Sequence, residues 1–274
     1  MNKRLGLTIA ALTTATLTFA TAQAQTANTV VVSPANMQGW AFFNDNHESA
    51  PPTGNFVKGP ATPPAGRGSV HFALTDAFDG QIIGTTAYAG QPLSGITNLQ
   101  YSTYRASPDT GNNLAIALQF DIKYRPADTA YGGRLVFEPY QGAPAASVLQ
   151  NIWQTWQPLD GLWWASKTTA AGSNGACPQS APCTWAQVKA AFPNAAIGGA
   201  LLFKAGSNWS GFDGNADALT VGTTAGSTTY DFELGPTNKD ECKNGGWTGI
   251  YKNQGECVSS FERHSSVTIS PFGS

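Results

Sequence analysis

From Val30 to Glu233 the chain runs in short apolar or alternating segments divided by clusters of Gly, Pro, Asn and Asp, and only one stretch has helical end signals. That rhythm is one of strands and turns. Strands are predicted at 41–43, 69–74, 82–88, 98–104, 114–124, 134–139, 151–158, 162–166, 199–204, 218–222 and 228–233. So many strands without sustained helical periodicity predict an all-β fold of two packed antiparallel sheets, with a jelly roll as the expected version. The helical exception is 185–192. Thr184 can cap it, Gln187 completes a capping box, and Pro193 stops it.

Residues 1–24 read as a secretory signal peptide: Lys3 and Arg4, an apolar run from Leu5 to Ala20, then Ala22-Gln23-Ala24 as a cleavage site. No later stretch reaches the roughly 20 apolar residues of a membrane span, so the expected product is exported, extracellular or periplasmic. The formal net charge of −2 falls further once Lys3 and Arg4 are removed, which leaves no basic footprint for nucleic acid.

Four cysteines fit an oxidising compartment. Three connectivities exist, and Cys177 with Cys183 and Cys242 with Cys257 are the simplest. A zinc site is the competing reading, but neither pair has C-x₂₋₄-C spacing. After Glu233 the composition changes. Gly235-Pro236 makes a hinge between a domain at 25–235 and a small element at 236–274. In that element, Thr237 with Asp240 and Asn253 with Glu256 predict two short capped helices joined by a disulfide.

Residues 153–164, WQTWQPLDGLWW, hold four of the eight tryptophans. Read as a hairpin turning at Asp160-Gly161, they put Trp153, Gln157 and Trp164 on one face and Trp156 and Trp163 on the other. One pair is expected in the core. The other is either covered by a loop or free to stack on the apolar face of a sugar, with Gln157 bonding its hydroxyls. Tyr101, Tyr104 and Tyr140 pose the same question.

Asp213, Asn215 and Asp217 alternate as Asp-x-Asn-x-Asp, a pattern that gathers oxygen ligands for calcium or simply caps a turn. Asp231 and Glu233 share one side of a strand, yet the clustered acidic signature of a glycosidase is absent. His47, His71 and His264 are scattered, with no G-x-S-x-G elbow, phosphate loop or dinucleotide fingerprint. The chain therefore reads as non-catalytic.

The segments FVKGPATPPAGRGSVHF (56–72), LQYSTY (99–104), GRLVFEPY (133–140), WQTWQPLDGLWW and GNADALTVG…TTYDFE (214–233) resemble poorly characterised domains of secreted bacterial proteins. Their plan is similar to the jelly-roll sandwiches of carbohydrate-binding modules. The tail, NKDECKNGGW…YKNQGECVSSF (238–261), resembles a two-cysteine motif found at the ends of many secreted bacterial proteins. The resemblance implies a carbohydrate ligand and one structural calcium at Asp217, although Ala218 and Thr224 depart from a full calcium loop. It leaves two alternatives. One is a structural or adhesive envelope protein docking a partner through its tail, and the other is a polysaccharide hydrolase or lyase.

Overall fold

A computed structural model describes residues 27–45, 53–108, 113–141 and 147–265; the expected signal segment lies outside them. Two seven-stranded sheets face each other among the described residues. The first contains β1 (Ala27–Val32), β3 (Asn55–Lys58), β4 (Gly68–Ala73), β6 (Ile96–Arg105), β9 (Trp153–Trp156), β13 (Asp213–Thr223) and β14 (Gly226–Phe232). The second runs in the order β11 (Cys183–Thr184), β10 (Leu162–Ala165), β8 (Arg134–Phe137), β7 (Ala117–Lys123), β12 (Ala196–Ala205), β5 (Gln81–Thr85), β2 (Trp40–Asn44). All eleven predicted strands are present, while β1, β3 and the two-residue β11 were not read from the sequence.

The sheets are antiparallel with one correction. β1 pairs with β14 in parallel, Val32 opposite Phe232. Inner faces interdigitate through large aromatics: Tyr101, Phe120, Trp163, Phe203 and Phe232 are completely buried. Trp163 stacks on Phe120 at 5.1 Å and meets Trp185 at 5.3 Å, and Tyr101 meets Phe203 at 5.2 Å. Each such side chain removes a large apolar area from water, which makes this layer the main source of stability. The polar tips of Tyr101 and Trp163 are satisfied, whereas Trp185 Nε1 is buried without a hydrogen-bond partner. Tyr101 donates its hydroxyl to the Ile116 carbonyl at 2.9 Å, and Trp163 Nε1 donates to the Pro158 carbonyl at 2.8 Å.

The tryptophan segment is not a hairpin. β9 pairs with β6 in the first sheet, whereas β10 pairs with β8 and β11 in the second. A 3₁₀ turn at Pro158–Asp160 carries the chain across the sandwich. Pro158 opens that turn with a φ suited to it and no N–H to lose. Gly161 closes it where a Cβ would lie 2.3 Å from the Phe137 ring.

The expected helix is present as α1 (Trp185–Ala191), with both halves of its capping box formed between Thr184 and Gln187. The disulfide Cys177–Cys183 directly precedes it. The second expected disulfide, Cys242–Cys257, is also present, with a Cα–Cα distance of 5.8 Å.

The tail differs from two consecutive helices. α2 is only Lys239–Glu241, capped by Asn238 rather than Thr237, and irregular turns follow before α3 (Gln254–Ser265). Asn253 does cap α3, accepting from Glu256 N at 2.8 Å. This element packs on the sandwich: Lys58 pairs with Glu241, and Gly249 lies against Val31 on β1. Among the described residues no helix is long and apolar enough to cross a membrane.

Candidate functional site

The two outer faces are treated differently by the chain. Over the first sheet, residues 59–67 form a loop that closes on it. Trp153 Nε1 donates to the Pro60 carbonyl at 2.8 Å, and Ala65 N donates to Asp217 Oδ2 at 3.0 Å. Trp153 is half-buried beneath this loop with Tyr104 5.6 Å away. Trp156 and Trp163 are core residues, and Gln157 is exposed and bonded to Gln100. Of the four tryptophans and the glutamine read as ligand-binding, only Trp164 enters an open cleft.

That cleft, of about 390 Å³, lies on the outer face of the second sheet. Alternation along β8 puts Arg134 and Val136 on its floor, and Glu138, the first residue after the strand, joins them. Trp164 stands opposite Val136, and Gln119 stands on its other side. Lys204 from β12 and Asp45, just after β2, complete the polar floor. Tyr131, Tyr140 and Trp209 supply further aromatic walls; Tyr131 is 57% exposed, whereas Trp209 is nearly buried.

The floor charges hold one another in place. Arg134 Nη1 donates to Asp45 Oδ1 at 2.8 Å and Arg134 Nε to Asp121 Oδ1 at 3.2 Å, while Lys204 pairs with Asp45. Burial raises the Asp45 pKa, but Lys204 and Arg134 outweigh burial and hold the carboxyl below its ordinary range. Glu138 accepts from Tyr140 Oη at 2.6 Å, from Trp164 Nε1 at 2.9 Å and from Gln141 Nε2. Burial still pushes its carboxyl upward, because those bonds only partly offset the loss of water. The cleft therefore combines rigid rings with fixed donors and acceptors and carries no uncompensated cation.

The expected calcium run behaves as a strand face. Asp213, Asn215 and Asp217 lie on β13, not in a loop, so successive members are two strand rises, about 6–7 Å, apart. Asp213 contacts His71 Nε2 at 3.0 Å, Asn215 donates to Ser69 Oγ at 3.0 Å, and Asp217 accepts from Phe232 N and Ala65 N, both at 3.0 Å. Among the described residues no group of three or more His, Cys, Asp or Glu is placed to hold a metal. The Asp213–Asn215–Asp217 set does not fit calcium, which takes six to eight converging oxygens.

Asp231 and Glu233 sit elsewhere, under Gly66 near the tail; Asp231 Oδ1 is buried with no hydrogen-bond partner. Burial and the neighbouring Glu233 raise the Asp231 pKa to about 6.

Sequence reasoning missed Asp45, Tyr131, Arg134, Glu138, Lys204 and Trp209. The one local signal was Arg134-x-x-x-Glu138, two charges on the same face of an apolar strand.

No protein-family model and no curated protein matches the chain. Among solved structures it is similar to a family 11 carbohydrate-binding module from Clostridium thermocellum, determined in complex with a beta-1,3-1,4-mixed-linked tetrasaccharide. That similarity has 8% identity, spans 69% of this chain and 91% of the other, and has a TM-score of 0.37.

Proposed function

We propose that this is an exported carbohydrate-binding protein, non-catalytic, whose ligand site is the cleft of the second sheet. The observation that carries the reading is the meeting of Tyr131 and Trp164 with Arg134, Lys204, Asp45 and Glu138 in one open depression. A sugar presents apolar C–H faces and a rim of hydroxyls. Aromatic rings take the first, and fixed donors and acceptors take the second. Because Asp45 and Asp121 already balance Arg134, and Asp45 also pairs with Lys204, the cleft suits an uncharged glycan better than a polyanion. Two disulfides accord with an oxidising, extracytoplasmic location. In this reading the two sheets form a jelly roll.

Electrophoresis through gels containing soluble neutral polysaccharides tests it. The native protein is retarded by at least one of them, and Trp164→Ala migrates as in the sugar-free gel. A native protein retarded by none, or a folded Trp164→Ala variant retarded equally, overturns the assignment.

A further inference from the structure

We infer that the cleft continues past Tyr131, so that the outer face of the second sheet takes an extended stretch of a linear glycan chain, not a single terminal sugar. This rests on the carbohydrate reading and adds the form of the ligand. A second cavity, of about 460 Å³, lies beyond Tyr131, and Tyr131 lines both. Its walls are the turn after β7, carrying Arg125, Asp128 and Thr129, and the segment after β10, carrying Lys167, Thr169 and Ala171.

The shared wall is held by its surroundings. Lys167 Nζ donates to the Tyr131 carbonyl at 3.2 Å, and Arg125 Nη2 pairs with Asp128 at 2.7 Å across the turn. Gly133 has φ +89°, and a Cβ there would lie 2.6 Å from Lys167 Cβ, so the two walls can approach only because this residue is glycine. Tyr131 lines the first cavity together with Asp45 and Arg134, while more than half of the residue stays in water.

Each cavity alone falls in the range of roughly 300–1,000 Å³ that accommodates a small ligand. One sugar therefore needs only part of one cavity. A chain crossing the Tyr131 ring contacts both, with the ring offering a stacking surface to the unit that passes between them.

Isothermal titration of the full chain with cello-, xylo- and laminari-oligosaccharides, disaccharide to hexasaccharide, tests this. In a ladder that binds, the dissociation constant tightens with length, by roughly tenfold from disaccharide to hexasaccharide. Ala171→Trp, an exposed position in the second cavity, brings the hexasaccharide down to short-chain affinity and leaves the disaccharide unchanged. Tyr131→Ala weakens the hexasaccharide more than the disaccharide. A disaccharide that binds as tightly as the hexasaccharide, or an Ala171→Trp variant that keeps the native length dependence, overturns the extended groove and leaves sugar binding standing. Absence of binding in every ladder overturns the carbohydrate reading and the groove with it.

Discussion

Trp163 and Trp164 are neighbours in the chain and point to opposite sides of one sheet. Trp163 is completely buried against Phe120, and Trp164 donates its indole N–H to Glu138 at 2.9 Å in the cleft. Trp163→Ala is expected to cost about 3–5 kcal/mol, the range for removing a large aromatic from a packed core. Trp164→Ala costs under about 1.5 kcal/mol but abolishes polysaccharide retention. Urea denaturation beside affinity electrophoresis separates the two, and similar stability losses in both variants would contradict the placement.

The floor ion pairs predict a second asymmetry. Arg134→Ala leaves Asp45 with Lys204 alone and is expected to destabilise by about 1–3 kcal/mol, below the value for a fully buried pair because both groups keep some contact with water. The Asp45 carboxyl is held low, so the pair stabilises above the unfolded carboxyl pKa and is lost as pH falls through the folded value. Acid unfolding of Arg134→Ala should therefore begin closer to neutral pH than in the native protein, as read by tryptophan fluorescence.

Asp231 and Asp217 work in the opposite direction. Burial raises Asp231 to about 6 and Asp217 to about 8, so the folded chain holds protons that the unfolded chain has already lost. Stability contributed by these groups is present near pH 4 and falls as pH rises towards 8. Asp231→Asn removes the repulsion by Glu233 and is expected to raise stability by about 1–3 kcal/mol at pH 8, with little change at pH 4. Thermal melts across that window check it. Run with added calcium and with chelator, they also test the calcium expectation at Asp213, Asn215 and Asp217: a calcium-dependent rise in Tm that disappears in Asp217→Asn would support it, and an unchanged Tm in chelator counts against it.

The tail disulfide closes a segment with a sequence separation of 15, for which loop-closure entropy gives about 3 kcal/mol. Replacing Cys242 and Cys257 by Ser is expected to open the tail to limited proteolysis while the sandwich retains its melting transition. The bond Cys177–Cys183, with a separation of 6, constrains much less chain, so its loss should matter less.

The strands were legible because their signal is local: each is a short apolar or alternating run, and most are bounded by Gly, Pro, Asn or Asp. Partnership is not local. β9 and β10 have the same pattern whether they pair with each other or, as here, with β6 and β8 in different sheets. The hairpin reading still separated Trp153 and Trp164 from the core pair Trp156 and Trp163, since parity along each strand survives a change of partner. It could not say that a loop closes over Trp153 while Trp164 stays open. β1 was missed because its first three residues are exposed and its core contact is concentrated at Val32. The cleft was mostly illegible: Asp45, the Tyr131–Arg134 stretch and Lys204 come from separate parts of the chain, and none is distinctive alone.

The parallel pairing of β1 with β14, and the packing of the tail against Val31, gather the first described strand and the last helix along one border of the first sheet. The cleft opens from the other sheet. A bead, sensor surface or fluorophore coupled along that border would therefore leave the cleft pointing outward, so that tethered arrays of the protein keep it free.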